Sequence, residues 1–320
     1  MTEQFGRYCS LTVEGVGGTM DLSEFRVRFD LHPLPLAAPA IGKILVTNLS
    51  PQRARALAAK DSEFKKITLD AGYEDGHGIL FKGNIIQGIY GRESPTDTLL
   101  TIVAADGDHG HNNATVSTTH PAGSTPQDHF NTALSALGKF GITKGFIGVD
   151  LSTPVYPRAV TLYGMARNVL HLIAQNKNAM LFYDREEVTM IPRGGSRPDG
   201  AIVLNSRTGL IGMPTQTPDG IFARCLINPK IRRGSLVQIN EKDIQRAVAE
   251  VSPMGDNSLG LKQLDAFASI ATDGLYVVTK IDIFGDTRGQ PWYMDLAMYA
   301  QGGFPSKAQL PYTGLGLASV

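Results

Sequence analysis

The N-terminal third of the chain alternates between apolar and polar residues in short runs that glycine-containing turns separate. In FRVRFDLHP, Phe25, Val27 and Phe29 alternate with charged residues, which is the period of a half-buried β-strand. The same pattern predicts strands in RYCSLTV, GKILVTNL, FKKITLDAGY, ILFKGNIIQGIYG and DTLLTIVAADG. The helical segment here is SPQRARALAAK, with Ser50 as its expected cap and Pro51 at its first position. Many short strands with one helix favour a small β-barrel or sandwich.

The pattern changes after Asp106, where DGDHGHNNATVSTTHPAGST is polar and aperiodic and is interpreted as a linker. A helix is predicted next, with Thr125 as its cap, Pro126 as its first residue and Gly141 at its end. Its apolar stripe consists of Phe130, Ala133, Leu134 and Leu137. GFIGVDL predicts a strand after this helix.

A second helix is predicted over residues 157–177. Its expected apolar face consists of Val160, Tyr163, Ala166, Val169, Leu170 and Ile173. AMLFYDREEVTMIP then predicts a hairpin that turns near residues 184–187. Helices and strands in this order indicate a small α/β module between residues 107 and 198.

Strand patterns return in AIVLNSRTGLIGMP, GIFARCLINP and SLVQIN, and EKDIQRAVAE predicts either a helix or a frayed connection. The last residues hold glycines and prolines without a period, as in an extended arm or a poorly ordered tail. We therefore divide the chain into a first β domain (1–106), the linker and α/β insert (107–198), a second β domain (199–300) and a C-terminal arm (301–320).

The segment DGLYVVTKIDIFGDTRGQPWYMDLAMYA predicts a hairpin whose loop is bracketed by Gly285 and Gly289. One strand is expected to present Val277, Thr279, Ile281 and Ile283 on one face, and the other to present Trp292, Met294, Leu296 and Met298. The aromatic-glycine pair Phe284-Gly285 has an echo in Tyr90-Gly91. Two copies of one β-module per chain would allow three chains to form a ring of six modules.

Charge and cysteine content narrow the function classes. The chain has 30 basic and 30 acidic residues, so it lacks the basic excess that is typical of nucleic-acid binding and has little self-repulsion against association. Cys9 and Cys225 have no pairing pattern and are expected to be buried free thiols in a reducing compartment. Without a long apolar run or a signal-peptide pattern at its start, the sequence is expected to be made in a cytoplasm and to have no membrane segment.

Three clusters could carry chemistry, and for each a non-catalytic interpretation is favoured. Asp106, Asp108, His109, His111 and His120 lack metal-ligand spacing, which favours a solvated linker. Asp265, Asp273 and Asp286 could supply a carboxylate pair for glycoside hydrolysis, but acids beside glycine are more typical of turns. Lys230, Arg232 and Arg233 form a basic cluster that we interpret as a solvated turn or protein interface. Nucleotide-binding and serine-nucleophile motifs are not found in the sequence.

Three stretches resemble a known family as a set. They are KKITLDAGYEDGHGILFKGNIIQGIYGRESPTDTLLTIVAADGD, NSRTGLIGMPTQTPDGIFARCLINPKIRRGSLVQIN, and the hairpin segment with DGLYVV, GDTRG and Trp292. With the insert, the chain resembles, from about residue 5 to 300, the baseplate hub proteins of contractile-tailed bacteriophages, which form the ring between tail tube and central spike. Related spike-base proteins of contractile injection systems and tailocins share this architecture.

The resemblance implies a mainly β fold with two tube-like antiparallel β-barrel domains and a small α/β module, assembled as a homotrimer. It implies contacts with a tail tube or tube-initiator protein and a central spike protein, and further with tape measure and other baseplate proteins. It implies neither cofactor nor catalytic residue. The expected location is the virion tail baseplate, with assembly in the bacterial host cytoplasm.

The expected role is structural: the hub joins a hexameric tube to a trimeric spike. The turns expected at assembly contacts contain Gly91, Arg92, Glu93, Gly285, Asp286, Arg288 and Gly289. The alternative function is a tail-associated cell-wall-degrading enzyme that uses Asp273 and Asp286. A carbohydrate-binding module is less favoured, because the chain has one tryptophan and lacks clustered aromatic residues.

Overall fold

The computed structural model describes residues 6–15, 18–33, 38–217, 220–239, 245–246 and 274–301. In these ranges the chain is mainly β, as predicted, with a large, mostly antiparallel sheet and a small α/β module. Asp265, Asp273, most of EKDIQRAVAE and residues 302–320 of the expected arm lie outside the described residues.

The first β-rich part follows the alternation in the sequence. Its elements are β1 (Arg7–Gly15), β2 (Gly18–Asp21), β3 (Arg26–His32), β4 (Ile41–Thr47), α1 (Pro51–Ala58), a 3-10 turn (Lys60–Ser62), β5 (Lys66–Tyr73), β6 (Gly76–Arg92) and β7 (Thr98–Ala105). In β3, Val27, Phe29 and Leu31 are buried and alternate with less buried residues, which confirms the period-two interpretation. Pro51 begins α1 as predicted, but the Ser50 side chain makes no capping hydrogen bond.

The insert contains more regular structure than its sequence suggested. Its elements are α2 (Asp108–Asn113), β8 (Thr115–His120), α3 (Pro126–Gly138), β9 (Thr143–Ile147), β10 (Val160–Met165), α4 (Ala166–Asn176), β11 (Ala179–Asp184) and β12 (Glu187–Pro192). Thr125 and Asp128 form a reciprocal capping box at the start of α3, so the predicted cap is confirmed. The predicted hairpin of β11 and β12 is also confirmed.

Two predictions in the insert were wrong. The supposed linker contains α2 and β8, and β8 pairs with β10. The predicted helix over 157–177 is divided into β10 and α4, because the β-branched and aromatic residues that begin it pair with β8. Tyr163, which was assigned to the buried face, is 86% exposed.

The second β-rich part contains β13 (Ala201–Val203), β14 (Leu210–Thr217), β15 (Gly220–Leu226), β16 (Leu236–Gln238), β17 (Gln245–Arg246), β18 (Leu275–Asp286) and β19 (Trp292–Ala300). Among the described residues, one sheet of 14 strands has the order β17-β14-β15-β19-β18-β3-β4-β7-β6-β5-β1-β2. Off this path, β16 pairs with β18, and β13 pairs with β16. The pairing of β18 with β3 joins the two β-rich parts.

Three apolar clusters hold the described structure together. The largest lies under the sheet and takes residues from both β-rich parts, a second fills the insert, and a third lies between the insert and the second β-rich part. The third cluster consists of Met180, Phe182, Ile191, Val277 and Tyr299. The insert sheet therefore packs directly on strands β18 and β19.

A β-bulge changes the face of β18. Register shifts between Val278 and Lys280, so Thr279 is the extra residue. Val278 and Ile281 consequently face the same core, whereas Val277 faces the insert. The predicted face of Val277, Thr279, Ile281 and Ile283 was therefore wrong, because simple alternation cannot anticipate a bulge. The predicted face of Trp292, Met294, Leu296 and Met298 is confirmed.

Candidate functional site

The two hairpin turns expected at assembly contacts lie at the same end of the sheet. The β6–β7 turn is closed by a hydrogen bond from the Glu93 amide to the Asp97 carbonyl, and the β18–β19 turn by one from the Asp286 amide to the Pro291 carbonyl (2.8 Å). Strands β3 and β4 lie between the two hairpins in the sheet. The fold thus brings together two turns that are almost two hundred residues apart in the sequence.

Asp286 organises the second turn. Its carboxylate accepts two hydrogen bonds from the Arg26 guanidinium, at 3.1 Å (Nε) and 2.6 Å (Nη2), and one from the Arg288 amide at 2.9 Å. The hydrogen bonds from Arg26 are the main cause that lowers the pKa of Asp286 below its ordinary value. The Arg288 side chain donates to the Glu24 carbonyl (2.9 Å). Asp286 is therefore bound by the backbone amide of Arg288, and its side-chain partner is Arg26.

This environment bears on the alternative function. A general acid in glycoside hydrolysis needs a raised pKa, whereas the pKa of Asp286 is lowered. Asp286 is also only 5% exposed. Its surroundings therefore fit a structural ion pair, and its proposed catalytic partner Asp273 lies outside the described residues.

The first turn is held by a second ion pair. Glu93 binds Arg28 through two contacts of 2.7 and 2.8 Å. The Asp97 carboxylate accepts hydrogen bonds from Asn48 (2.8 Å) and Ser94 (3.0 Å). These bonds, led by that from Asn48, lower the pKa of Asp97 below its ordinary value. Arg92 donates to the Pro95 carbonyl within its own turn, at 2.8 Å.

An open cleft of about 500 Å³ separates the two turns. Its walls and floor consist of Glu24, Phe25, Arg26, Thr47, Asn48, Glu93, Asp97 and Arg288. Glu93 and Arg288, both expected as assembly contacts, therefore line one concave surface, whereas Gly285 is buried in the sheet. Sequence reasoning missed the cleft because its floor is formed by the ends of β3 and β4.

The similarity between the two hairpin segments is also present in the structure, but the sequence comparison aligned the segments one residue out of register. Strand β6 also carries a bulge, at Ile86, which matches the bulge at Thr279 in β18. When the two strands are aligned at their bulges, Tyr90 corresponds to Ile283 and Gly91 corresponds to Phe284. Gly91 and Gly285 are therefore not at equivalent positions. Accordingly, Gly91 is exposed whereas Gly285 is buried.

Backbone hydrogen bonds beside the bulges repeat as well. Ile85 accepts from the Phe64 amide (2.9 Å) and donates to the Lys65 carbonyl (2.9 Å). At the corresponding position, Val278 accepts from the Gly234 amide (2.7 Å) and donates to the Ser235 carbonyl (3.0 Å). The strand orders β3-β4-β7-β6 and β14-β15-β19-β18 are likewise the same. Each β-rich part therefore contains a four-strand unit of the same order, and the two units lie side by side.

A second polar site, an ionic junction, lies where the insert meets both β-rich parts. Its centre is the turn Asp184–Glu187, in which Arg185 and Glu186 have positive φ values of 59° and 60°. The Asp184 carboxylate binds Arg232 at 2.9 Å, and Glu187 binds Arg232 at 3.2 Å. Burial alone would raise the pKa of Asp184, but nearby guanidinium groups, first that of Arg185, outweigh it and hold the pKa below its ordinary value.

The first β-rich part contacts this turn through buried charges. Asp106 accepts hydrogen bonds from the amides of Arg185 and Glu186, the latter at 2.7 Å. Burial and then repulsion from Asp184 raise the pKa of Asp106 to about 7. The Glu186 side chain, 2% exposed, lies 3.1 Å from the ammonium groups of both Lys66 and Lys82.

Arg233 completes the junction from the second β-rich part. It is 2% exposed, donates to the Tyr183 carbonyl and lies 5.1 Å from the ring centre of Phe182. The interpretation of Arg232 and Arg233 as a solvated turn was wrong, because both bind the insert within the protein. Of the three basic residues, only Lys230 is exposed, as the interpretation of a solvated turn requires.

The histidine-rich stretch is not a solvated linker. His109 stacks on Phe64 (4.5 Å between ring centres), His111 contacts Tyr183 and His120 lies 3.0 Å from Thr132 Oγ1, so the histidines are distributed over different neighbours. The described side chains contain no group of three or more His, Cys, Asp or Glu residues arranged to hold a metal ion. None of the helices in the described ranges has the length and hydropathy that crossing a membrane requires.

Both cysteines are free thiols, as predicted, but only Cys225 is fully buried, whereas Cys9 is half-buried. Cys9 and Cys225 are free, and burial raises the pKa of each to about 12. Both are therefore protonated at neutral pH and pack as small apolar side chains.

Solved structures with the same fold include phage tail proteins. A tail protein from Neisseria meningitidis MC58 matches with a TM-score of 0.57 and 8% identity, over 94% of this chain and 98% of that chain. The 43 kDa tail protein of prophage MuSo2 from Shewanella oneidensis matches with a TM-score of 0.56 and 9% identity, over 92% and 98%.

A third match is a component of the E. coli type VI secretion system that exhibits structural similarity to the T4 bacteriophage tail proteins gp27 and gp5. It has a TM-score of 0.54 and 9% identity, over 92% of this chain and 79% of that chain. No family model matches the sequence, and no curated protein is similar to it in sequence. The chain thus has the fold of these tail proteins.

Proposed function

We propose that this chain, which has the fold of phage tail proteins, is a structural tail protein that forms a trimeric baseplate hub. In this proposal the hub joins a hexameric tail tube to the trimeric central spike of a contractile tail. Its partners are two further copies of itself, a tube or tube-initiator protein and a spike protein, with tape measure and other baseplate proteins as further contacts. It acts in the virion tail after assembly in the host cytoplasm.

The internal duplication carries this proposal. Each chain contains two equivalent four-strand units, β3-β4-β7-β6 and β14-β15-β19-β18, side by side in one sheet. Three such chains around a threefold axis would present six equivalent units. A ring of this kind meets a sixfold tube on one side and a threefold spike on the other, which is the symmetry conversion that a hub performs.

The two units differ at one edge, and this difference supports assembly. The first half of β18 pairs with β16 and its second half pairs with β3. The first half of β6 pairs with β5, but among the described residues nothing pairs with that edge beyond Ile85. Ile86 and Ile89, on this second half, are 42% and 51% exposed. We assign this edge to the contact with the next copy, since unpaired strand edges readily take another strand.

We further propose that the chain acts mechanically, without catalysis. The support is the environment of Asp286, whose carboxylate is buried in an ion pair with a lowered pKa. Parent protein that clears cell walls, with clearing abolished in Asp286→Asn, would replace the hub proposal with the enzymatic alternative.

Native mass measurement tests the trimer. The chain has a mass of 34.4 kDa, and we expect particles of three chains, either alone or with tube or spike partner. Ile89→Lys should shift the population toward monomer, because it places a charge on the proposed edge. Ile79→Lys is the matched control, since Ile79 lies on the same strand, is 38% exposed and belongs to the half that already pairs with β5. A protein that stays monomeric with both partners would refute the proposal.

A further inference from the structure

We propose that the cleft between the two hairpin turns is a binding site for a basic side chain, lysine or arginine, presented by a loop of a partner protein. The inference rests on the proposed function in one respect: the partner that supplies the loop is another protein of the tail. The site itself lies within a single chain, so it can be tested without the assembly.

The shape of the cleft suits a protruding side chain. Two turns form its walls, with Glu93 and Asp97 on one side and Arg288 on the other, and Arg26 and Thr47 form part of its floor. Its volume of about 500 Å³ holds one long side chain and part of the backbone that carries it. Because the walls belong to different β units, their separation is fixed by the pairing of β18 with β3.

The distribution of charge favours a cation. Glu93 is neutralised by Arg28, and Arg26 is engaged with Asp286. Asp97 is ionised at neutral pH and, among the described residues, is hydrogen-bonded by neutral side chains alone. Glu24 adds a second carboxylate with no ion pair in the described part of the chain, whereas Arg288 is the cation that remains. Two carboxylates against one guanidinium leave the cleft with an attraction for positive charge.

Thr47 provides an independent sign of an unfilled site. This residue is 8% exposed, and its side-chain oxygen has no hydrogen-bond partner among the described residues. Buried polar groups are normally paired, and an unpaired one calls for an explanation. Thr47 lines the cleft. A guanidinium or ammonium group in the cleft would donate to the Asp97 carboxylate, which gives a charge-assisted bond of the kind that makes such contacts strong.

The probe is the acetyl amide of arginine, added to the purified full chain while the amide chemical shifts of Asn48, Asp97 and Arg288 are followed. We expect saturable shifts at these residues, weakened by salt because the attraction is between charges near solvent. Asp97→Asn should weaken binding about tenfold or more, since it removes a charge-assisted hydrogen bond. Glu24→Gln should also weaken binding of the probe. In the described part of the chain the Glu24 side chain makes no hydrogen bond or ion pair, so this substitution should not disturb the fold.

The matched control is Glu63→Gln, which removes one exposed carboxylate outside the cleft and should leave binding unchanged. The acetyl amide of glutamate should not bind. The proposal is overturned if the arginine probe causes no saturable shift at the cleft, if the glutamate probe binds equally well, or if Glu63→Gln weakens binding as much as Asp97→Asn. The native mass of each variant, measured in parallel, shows whether the trimer forms. A failure of the cleft to bind the arginine probe can thus be distinguished from a failure of the chain to form a trimer.

Discussion

The phenyl ring of Phe29 occupies the space that a β-carbon on Gly285 would need. The two residues are directly paired across β3 and β18, and a β-carbon on Gly285 would lie 2.1 Å from Phe29 Cζ. Trp292 pairs with Gly285 from the other strand, and its ring meets that of Phe29 edge-on at 5.6 Å. A glycine near the end of β18 therefore lets two aromatic side chains close the junction between the two β units.

Gly285→Val should destabilise the fold by at least about 2 kcal/mol, because the new side chain overlaps the Phe29 ring and forces both strands to move. The free energy of unfolding, measured by urea denaturation, checks this. Because the overlap lies within one chain, we expect this substitution to impair folding before it impairs assembly.

Gly91→Val is the matched control. A β-carbon at Gly91 has no heavy atom within 4 Å, so the substitution should change stability by less than about 0.5 kcal/mol. Equal losses for the two variants would show that the contact with Phe29 is not the cause.

Asp286→Asn should remove the ion pair with Arg26 and cost about 1–3 kcal/mol at neutral pH. Because the pKa of Asp286 is lowered in the folded protein, the contribution of its charge is present above the ordinary pKa of 3.8 and is lost as pH falls through the folded value. The difference in stability between parent and variant should therefore shrink in acid. A difference that stays constant from pH 7 to pH 2 would contradict the assignment.

Asp106 should give the opposite pH dependence. Its pKa is raised from 3.8 to about 7, so the folded protein binds a proton that the unfolded chain releases between these values. The contribution of Asp106 to stability is thus greatest below pH 3.8 and falls as pH rises to 7, by at most about 4 kcal/mol.

Asp106→Asn, compared with the parent by urea denaturation at several pH values, isolates this contribution. The difference between the two proteins should change with pH between about 4 and 7 and level off above 7. Asp108→Asn, the matched control two residues away, alters a half-buried carboxylate in α2 and should not reproduce that change. A pH-independent difference for Asp106→Asn would mean that its carboxyl group titrates normally.

The sequence predicted those parts of the fold that depend on local pattern. Alternation located β3 and β19, the expected cap Thr125 with Pro126 located the start of α3, and the resemblance indicated a fold that the solved tail proteins share. The bulge at Thr279 could not be predicted, because no residue type in β18 marks the point at which the register shifts. The bulge nevertheless changes which side chains of the strand face the core.

The polar sites were harder to predict because their residues are distant in sequence. The cleft joins Asp97 to Arg288, and the junction joins Asp106 to Glu186 and Arg233. A charged residue in a loop is usually solvated, so Arg233 gave no local signal of its burial. Only the long-range pairing of strands brings such groups together.

Arg233→Met should destabilise the protein by about 3–5 kcal/mol, the usual cost of removing one partner from a buried set of charges. Methionine retains much of the side-chain volume beside Phe182, but it removes one of the buried guanidinium groups that act on Asp184 and Asp106. Lys230→Met, three residues away and exposed, removes the same charge and should have an effect within about 0.5 kcal/mol. Urea denaturation of both variants decides between an internal ion pair and the solvated turn that the sequence suggested.

Because Arg233 holds the insert against the second β unit through the Tyr183 carbonyl, amide exchange in β11 should also rise in Arg233→Met and remain unchanged in Lys230→Met. Equal and small effects of the two substitutions would show that the junction contributes little to holding the insert in place.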